Sequence, residues 1–222
     1  MIKTYLFLCS SDGGDPFRAR GAAAAELLRG TCPQARGYCQ TRTLAEQIDA
    51  SAAPPYAGVA ELWFADAAAA LDLAGRPEAF APLLRGGEVI IDAVIVGEER
   101  IIMRLPAHHT ARFVKGVFPF RRQAALSVEA FQHYWLHRHG PIAAHTQEAL
   151  AYIQCHPLPS CYEGGAPRYD GITELVWPDV AAARRAMASR QMRDEQVRDA
   201  ANFAAPGSVL LFLAQEEVIM AA

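Results

Sequence analysis

The segment Tyr56-Ala57-Gly58-Val59-Ala60-Glu61-Leu62-Trp63-Phe64-Ala65-Asp66 returns as Tyr169-Asp170-Gly171-Ile172-Thr173-Glu174-Leu175-Val176-Trp177-Pro178-Asp179, displaced by 169 − 56 = 113 positions. Tyr, Gly, Glu, Leu and Asp coincide between the copies. A period this long marks a domain-sized duplication rather than a solenoid unit. Outward from the two copies, each half reads as strand, helix, strand, strand, helix, strand. In the first half residues 2–9 are an apolar run of β-formers. Residues 16–29 are Ala-rich and helical, with Asp15 as N-cap and Pro16 at the first helical position. Residues 37–41 and 58–64 read as strands, Asp66 caps a helix over 67–74, and 89–96 is a further strand that 101–103 extends or pairs with. Residues 106–110, with two histidines, connect the halves. The second half repeats the order with strands over 113–118, 152–155, 171–177 and 208–218 and helices over 128–139, 142–149 and 180–189. A polar segment runs on to residue 203. The expected domains are 1–105 and 111–222.

Composition excludes several classes. The chain has 222 residues, 52% of them apolar and 20% charged, with a net charge of −3, so a substantial core forms and no basic run addresses a nucleic acid. No apolar stretch approaches the roughly 20 residues of a membrane span. Residues 1–9 are too short for a secretory leader, and cytoplasmic residence is the expectation. The five cysteines form no Cys-x-x-Cys pair, which leaves zinc and thioredoxin chemistry without support. Phosphate loops, nucleophile elbows and dinucleotide fingerprints are absent from the sequence.

The helix after Ser127 has favourable local chemistry: Ser127 as N-cap, Glu129 in the first turn, and Leu126 and Phe131 at the hydrophobic-staple positions. Phe131 and Trp135 share a face, His133 and His137 lie opposite it, and His139 returns to within about 40° of Trp135. Gly140-Pro141 is a stop signal.

The stretch Leu126-Ser127-Val128-Glu129-Ala130-Phe131-Gln132-His133-Tyr134-Trp135-Leu136-His137-Arg138-His139-Gly140-Pro141 resembles the helix motif of the EthD-like family, Ser-x-Glu-x-Phe-x-x-Tyr/His-Trp-x-x-x-His-x-Pro. The strand over 169–177 followed by Asp179 resembles that family's Gly-x-x-Glu-Leu strand. The resemblance covers most of 112–218. The first half shares only its opening strand, Tyr38 and the 56–66 segment, so the chain resembles a tandem EthD-like protein with a degenerate N-terminal half. The resemblance implies an α+β fold in which two ferredoxin-like repeats pair sheet-to-sheet as an intramolecular dimeric α/β barrel. It also implies action without a cofactor on small organic compounds, including dehydration- and decarboxylation-like tailoring of aromatic polyketides.

His139 matches the family histidine and stands where the helix dipole favours imidazolium, as a general acid or base or as a structural cap beside Trp135. His145 is a second catalytic candidate, just past Pro141. His133 and His137 have metal-binding spacing but no third ligand, and no metal is expected. Glu61 and Glu174 recur at one repeat position, either as proton-transfer groups or as cross-strand partners of Lys3 and Lys115, which recur on each first strand. Tyr38 and Tyr152 also recur, each two residues before a Gln (Gln40, Gln154), and with Trp135 they are the candidate substrate-binding groups. The expected function is a lyase-type enzyme of dehydratase or decarboxylase character, acting by His-centred acid–base chemistry on a small apolar or aromatic oxygenated compound. The alternatives are a non-catalytic binder of a hydrophobic metabolite and a cofactor-free oxygenase. The expected partners are that small molecule and, through exposed sheet edges, a second copy, with no nucleic acid or membrane.

Overall fold

A computed structural model describes residues 1–51, 53–86, 89–106 and 112–222. Most of the expected connection over 106–110 falls outside the described residues. The order is β1 (Ile2–Ser10), α1 (Gly21–Thr31), β2 (Gly37–Thr43), β3 (Gly58–Phe64), α2 (Ala67–Gly75), β4 (Val89–Met103), β5 (Val114–Phe120), α3 (Val128–Tyr134), α4 (Gly140–Ala143), β6 (Ala151–Pro157), β7 (Gly171–Trp177), α5 (Val180–Ala188), α6 (Arg198–Ala200) and β8 (Phe212–Met220). The protein is α+β, with antiparallel strands and helices. Two compact units form. One holds Met1–Thr43, Pro54–Glu98 and Ala214–Ala222, the other Leu44–Ala53 and Glu99–Leu213.

In the first unit β1 lies between β3 and β4, and β3 lies between β1 and β2. Residues of β8 pair with β2 on its other side. Asp66 caps α2 by accepting from the Ala69 N–H at 2.9 Å. The α1 helix starts later than the Pro16 signal suggests. Asp15 instead accepts from the Phe17 N–H and from the guanidinium groups of Arg20 and Arg42, which leaves it no role as a cap.

In the second unit β7 lies between β5 and β6. Ser127 caps α3, accepting from the Ala130 N–H at 3.1 Å. The helix does not stop at Gly140-Pro141. It widens into a π turn over Trp135–His139 and runs on into α4. Pro141 has no N–H for the ladder, and in a regular α-helix its ring would clash with the carbonyl four residues back. The wider turn removes the clash: the Gly140 N–H bonds to the Trp135 carbonyl five residues back, and Gln154 Nε2 donates to that same oxygen at 3.1 Å. A second π turn, Met192–Val197, leads into α6 within the segment expected to be merely polar. Phe120, Phe131, Trp135 and Phe203 form an aromatic core with mostly edge-on contacts.

The recurrent residues recur in structure as well. Gln40 Nε2 donates to Tyr38 Oη at 3.0 Å and to the Ala19 carbonyl at 3.0 Å. Gln154 Nε2 donates to Tyr152 Oη at 2.5 Å and to the Trp135 carbonyl. Lys3 pairs with Glu61 at 2.8 Å and Lys115 with Glu174 at 3.5 Å, each across neighbouring strands.

Candidate functional site

A cavity of about 240 Å³ lies within the second unit. Phe118 and Phe120 of β5, Tyr152 of β6 and Thr173 and Leu175 of β7 form its floor. Strand alternation places these residues on one sheet face, since Tyr152 stands opposite Leu175 and Phe118 opposite Thr173. The two π turns and α6 form the roof, with Trp135, His139, Met192, Gln196 and Phe203. Val197 and Val209 also line it and are exposed, which puts them at its rim.

His139 is 8% exposed, and its ring lies 4.7 Å from that of Phe203. Its Nδ1 is 2.9 Å from Asp199 Oδ2. A carboxylate there accepts, so Nδ1 carries the proton and Nε2 holds the lone pair. Nε2 has no partner among the described residues. Asp199 is fixed in turn by the Tyr134 hydroxyl, which donates to Oδ1 at 2.8 Å, and by Asn202 Nδ2 at 3.3 Å. Burial pushes the His139 pKa below the ordinary histidine value, and the hydrogen bond and charge of Asp199 offset this only in part. The sequence expectation that a helix end favours imidazolium is therefore reversed: the helix runs on past His139 into α4, and desolvation leaves the ring neutral at pH 7.

The Tyr152 hydroxyl is held by a chain of amides. Gln154 must present its NH2 to the Trp135 carbonyl, which can only accept, so the same nitrogen donates to Tyr152 and Oε1 accepts from His156 Nε2 at 2.8 Å. Tyr152 keeps its own proton, which the Thr173 hydroxyl beside it or a ligand oxygen can accept. Burial raises its pKa, with hydrogen bonds to Gln154, Trp135 and Thr173 opposing, so the hydroxyl stays protonated. The Trp135 indole N–H is buried against the same Tyr152 hydroxyl, whose pKa it lowers.

His156 stacks on Trp135 at 4.4 Å, and burial, aided by the charges of Arg100 and His137, lowers its pKa to about 3. Because the unfolded chain protonates His156 near the ordinary value, stability is full above about pH 6.5. It is lost as the pH falls toward 3, on the order of 3–5 kcal/mol at about 1.4 kcal/mol per pH unit. The urea midpoint of the wild type is expected to fall steeply between pH 7 and pH 4. His156→Phe, which keeps the ring stack, is expected to flatten that dependence. An unchanged slope in the variant would assign the acid sensitivity elsewhere.

Other candidates lie apart from this cavity. His145 is exposed and is not among its lining residues, because α4 ends before it and turns it outward. Glu174 is 1% exposed but faces the other side of β7, where Lys115 meets it, so alternation places it on the face away from this cavity. Tyr38 belongs to the first unit, where Phe80 packs edge-on against it at 5.8 Å, and Gln154 acts through Tyr152 without lining the cavity. His133 and His137 are exposed with rings 4.7 Å apart, and no cluster of three metal-ligating side chains exists among the described residues. Asp170, at the end of the Pro-rich loop, is 2% exposed and pairs with Arg121 and Arg122. Asp199 and Gln196 were not foreseen from the sequence. Asp199 lies 60 residues from His139, so no local spacing betrays it.

The fold and site together define an α+β protein with an aromatic-lined cavity in its second unit. Residues 123–207 match the model of the EthD domain. That span contains every cavity element except β5 and the approach to β8. No curated protein matches the chain. Among solved structures, a mutant chlorite dismutase from Candidatus Nitrospira defluvii is 12% identical, covers 96% of this chain and 90% of its own, and has a TM-score of 0.54. An anthrone oxidase-like protein is 13% identical over 100% of this chain and 96% of its own, with a TM-score of 0.51. A candidate monooxygenase from Lactobacillus acidophilus NCFM is 10% identical over 99% and 95%, also at 0.51. At these identities the likeness concerns the fold alone. Among the described residues no helix is long and apolar enough to cross a membrane.

Proposed function

We propose that the protein is a cofactor-independent lyase that removes water from a small cyclic hydroxy-carbonyl compound in the cavity of its second unit. The observation that carries this reading is His139, held by Asp199 through Nδ1, with its basic Nε2 free in a chamber walled by aromatic rings. An apolar cavity of roughly 150 Å³ holds benzene; this one admits a ring with substituents. In the proposed step Nε2 takes a proton from the carbon beside the carbonyl, and that C–H pair becomes the new double bond. The neighbouring hydroxyl then leaves as water with the proton that His139 returns. Tyr152 donates to the carbonyl oxygen on which charge builds, its own oxygen held by Gln154 and by the Trp135 indole. No oxidation state changes overall. The proposal includes the pairing of the two ferredoxin-like repeats into one barrel, which would hold β5 and β7 firmly beneath the cavity.

The test is a panel of cyclic β-hydroxy ketones, followed by absorbance of the conjugated product with dissolved oxygen recorded in parallel. Product at constant oxygen supports the lyase. Oxygen uptake with an electron-rich phenol and no dehydration would replace it with the cofactor-free oxygenase reading, and saturable binding without turnover would leave a binding protein. Asp199→Asn supplies a further check on the dyad. Asp199 raises the His139 pKa, so its loss is expected to move the acidic limb of kcat/KM to lower pH, with a fall in rate of around 10- to 10³-fold. A merely structural Asp199 would lower the amount of folded protein without moving that limb.

A further inference from the structure

Gln196 is an acceptor with nothing to accept. It lines the cavity from the second π turn and is 6% exposed. Its orientation follows from two backbone carbonyls at the end of α4. Gln191 must turn its NH2 to the Ile142 carbonyl at 3.1 Å, so the atom it offers Gln196 is Oε1. Thr146 spends its hydroxyl proton on the Ala143 carbonyl at 2.6 Å, so its oxygen also accepts. Both neighbours therefore demand a donor, and Gln196 meets them with Nε2, at 2.7 Å to Gln191 and 2.8 Å to Thr146. Both amide protons are used. Oε1 is left without a partner among the described residues, in a wall that is otherwise largely apolar.

Leaving such an acceptor unmet costs about 1–3 kcal/mol when water is displaced, so a ligand without a donor is disfavoured there. We infer that Gln196 determines specificity by accepting a hydrogen bond from a hydroxyl on the substrate ring. The inference rests on the proposed function and narrows its substrate class. The ligand presents an oxygen acceptor to Tyr152 and, elsewhere on the ring, an O–H donor to Gln196. Rings oxygenated at one position satisfy only half of this set, and a plain hydrocarbon satisfies none.

Calorimetric titration with phenol and the three dihydroxybenzenes, on the full chain and on Gln196→Leu, tests it. In the wild type the best-bound dihydroxybenzene is expected to exceed phenol by roughly 10-fold, the worth of one net hydrogen bond near the upper end of the usual range. In Gln196→Leu that advantage should shrink to within about twofold, with phenol itself little changed. Gln196→Met serves the same purpose if the leucine variant does not fold. A dihydroxybenzene advantage that is absent from the wild type, or intact in a folded variant, overturns the role of Gln196 while leaving His139 as the base. Failure of every ring to bind overturns both, since the cavity would then not receive an oxygenated aromatic at all.

Discussion

Replacing His139 by Ala is expected to lower kcat/KM by around 10²- to 10⁴-fold, the usual worth of a positioned general base. The expectation follows from the geometry of the imidazole. Burial keeps the ring neutral at working pH, so the basic form is the resting form. The Asp199 carboxylate fixes the tautomer at 2.9 Å, so the lone pair is on the nitrogen that no described residue engages. The rate profile should therefore rise through a pKa below the ordinary histidine value and stay flat across neutral pH. Affinity for a non-reacting ring should change far less than turnover, since the aromatic walls supply most of the binding. His139→Gln makes the comparison sharper, because it keeps a polar group near Asp199 and removes the base. Wild-type turnover in either variant, with the protein folded, would exclude His139 from the chemistry.

The strands were the legible part of this fold. The two copies of the repeat fall on β3 and β7 without a shift of boundary, because Gly opens each and a capping Asp follows each. The cross-strand Lys–Glu pairs were legible too, since each residue recurs in the second half. The helices were less so, for a single physical reason. A search at 3.6 residues per turn expects helices to stop at Gly-Pro and to show an apolar stripe. Here Pro141 is absorbed by a π turn, and the inward positions from the second π turn through α6 to Phe203 include Gln196 among Met192, Ala200 and Phe203. A polar residue on an inward face reads as the end of a helix when it is part of a site. The cue was present in the four-residue spacing of Met192, Gln196 and Ala200. His139 was within reach of sequence reasoning because its Trp and Pro neighbours are local, whereas Asp199 is positioned by tertiary packing alone.

Lys115→Met is expected to destabilise the protein by about 3–5 kcal/mol, the cost of taking one ion from a buried pair. Lys115 is 2% and Glu174 1% exposed, and their groups lie 3.5 Å apart on the face of the sheet away from the cavity. Without the ammonium, the buried Glu174 carboxylate loses the charge that opposes its own, and its protonated form is favoured more than in the wild type. That makes the variant's loss of stability largest at high pH and smallest at low pH, where the carboxyl is neutral. Glu174→Gln should cost less, because an amide keeps the shape and can still accept a hydrogen bond. Replacing both partners, Lys115→Met with Glu174→Leu, should recover most of the loss, as a well-packed apolar pair often equals a buried ionic one. Urea denaturation at pH 5 and pH 8 on the two single variants and the double variant gives the full cycle. The same double variant also separates structure from catalysis. If the pair only joins β5 to β7, turnover per folded molecule stays within about threefold of wild type, far from the effect of a lost acid–base group. A collapse of turnover in a stable double variant would return Glu174 to the reaction and require the carboxylate to act through the sheet.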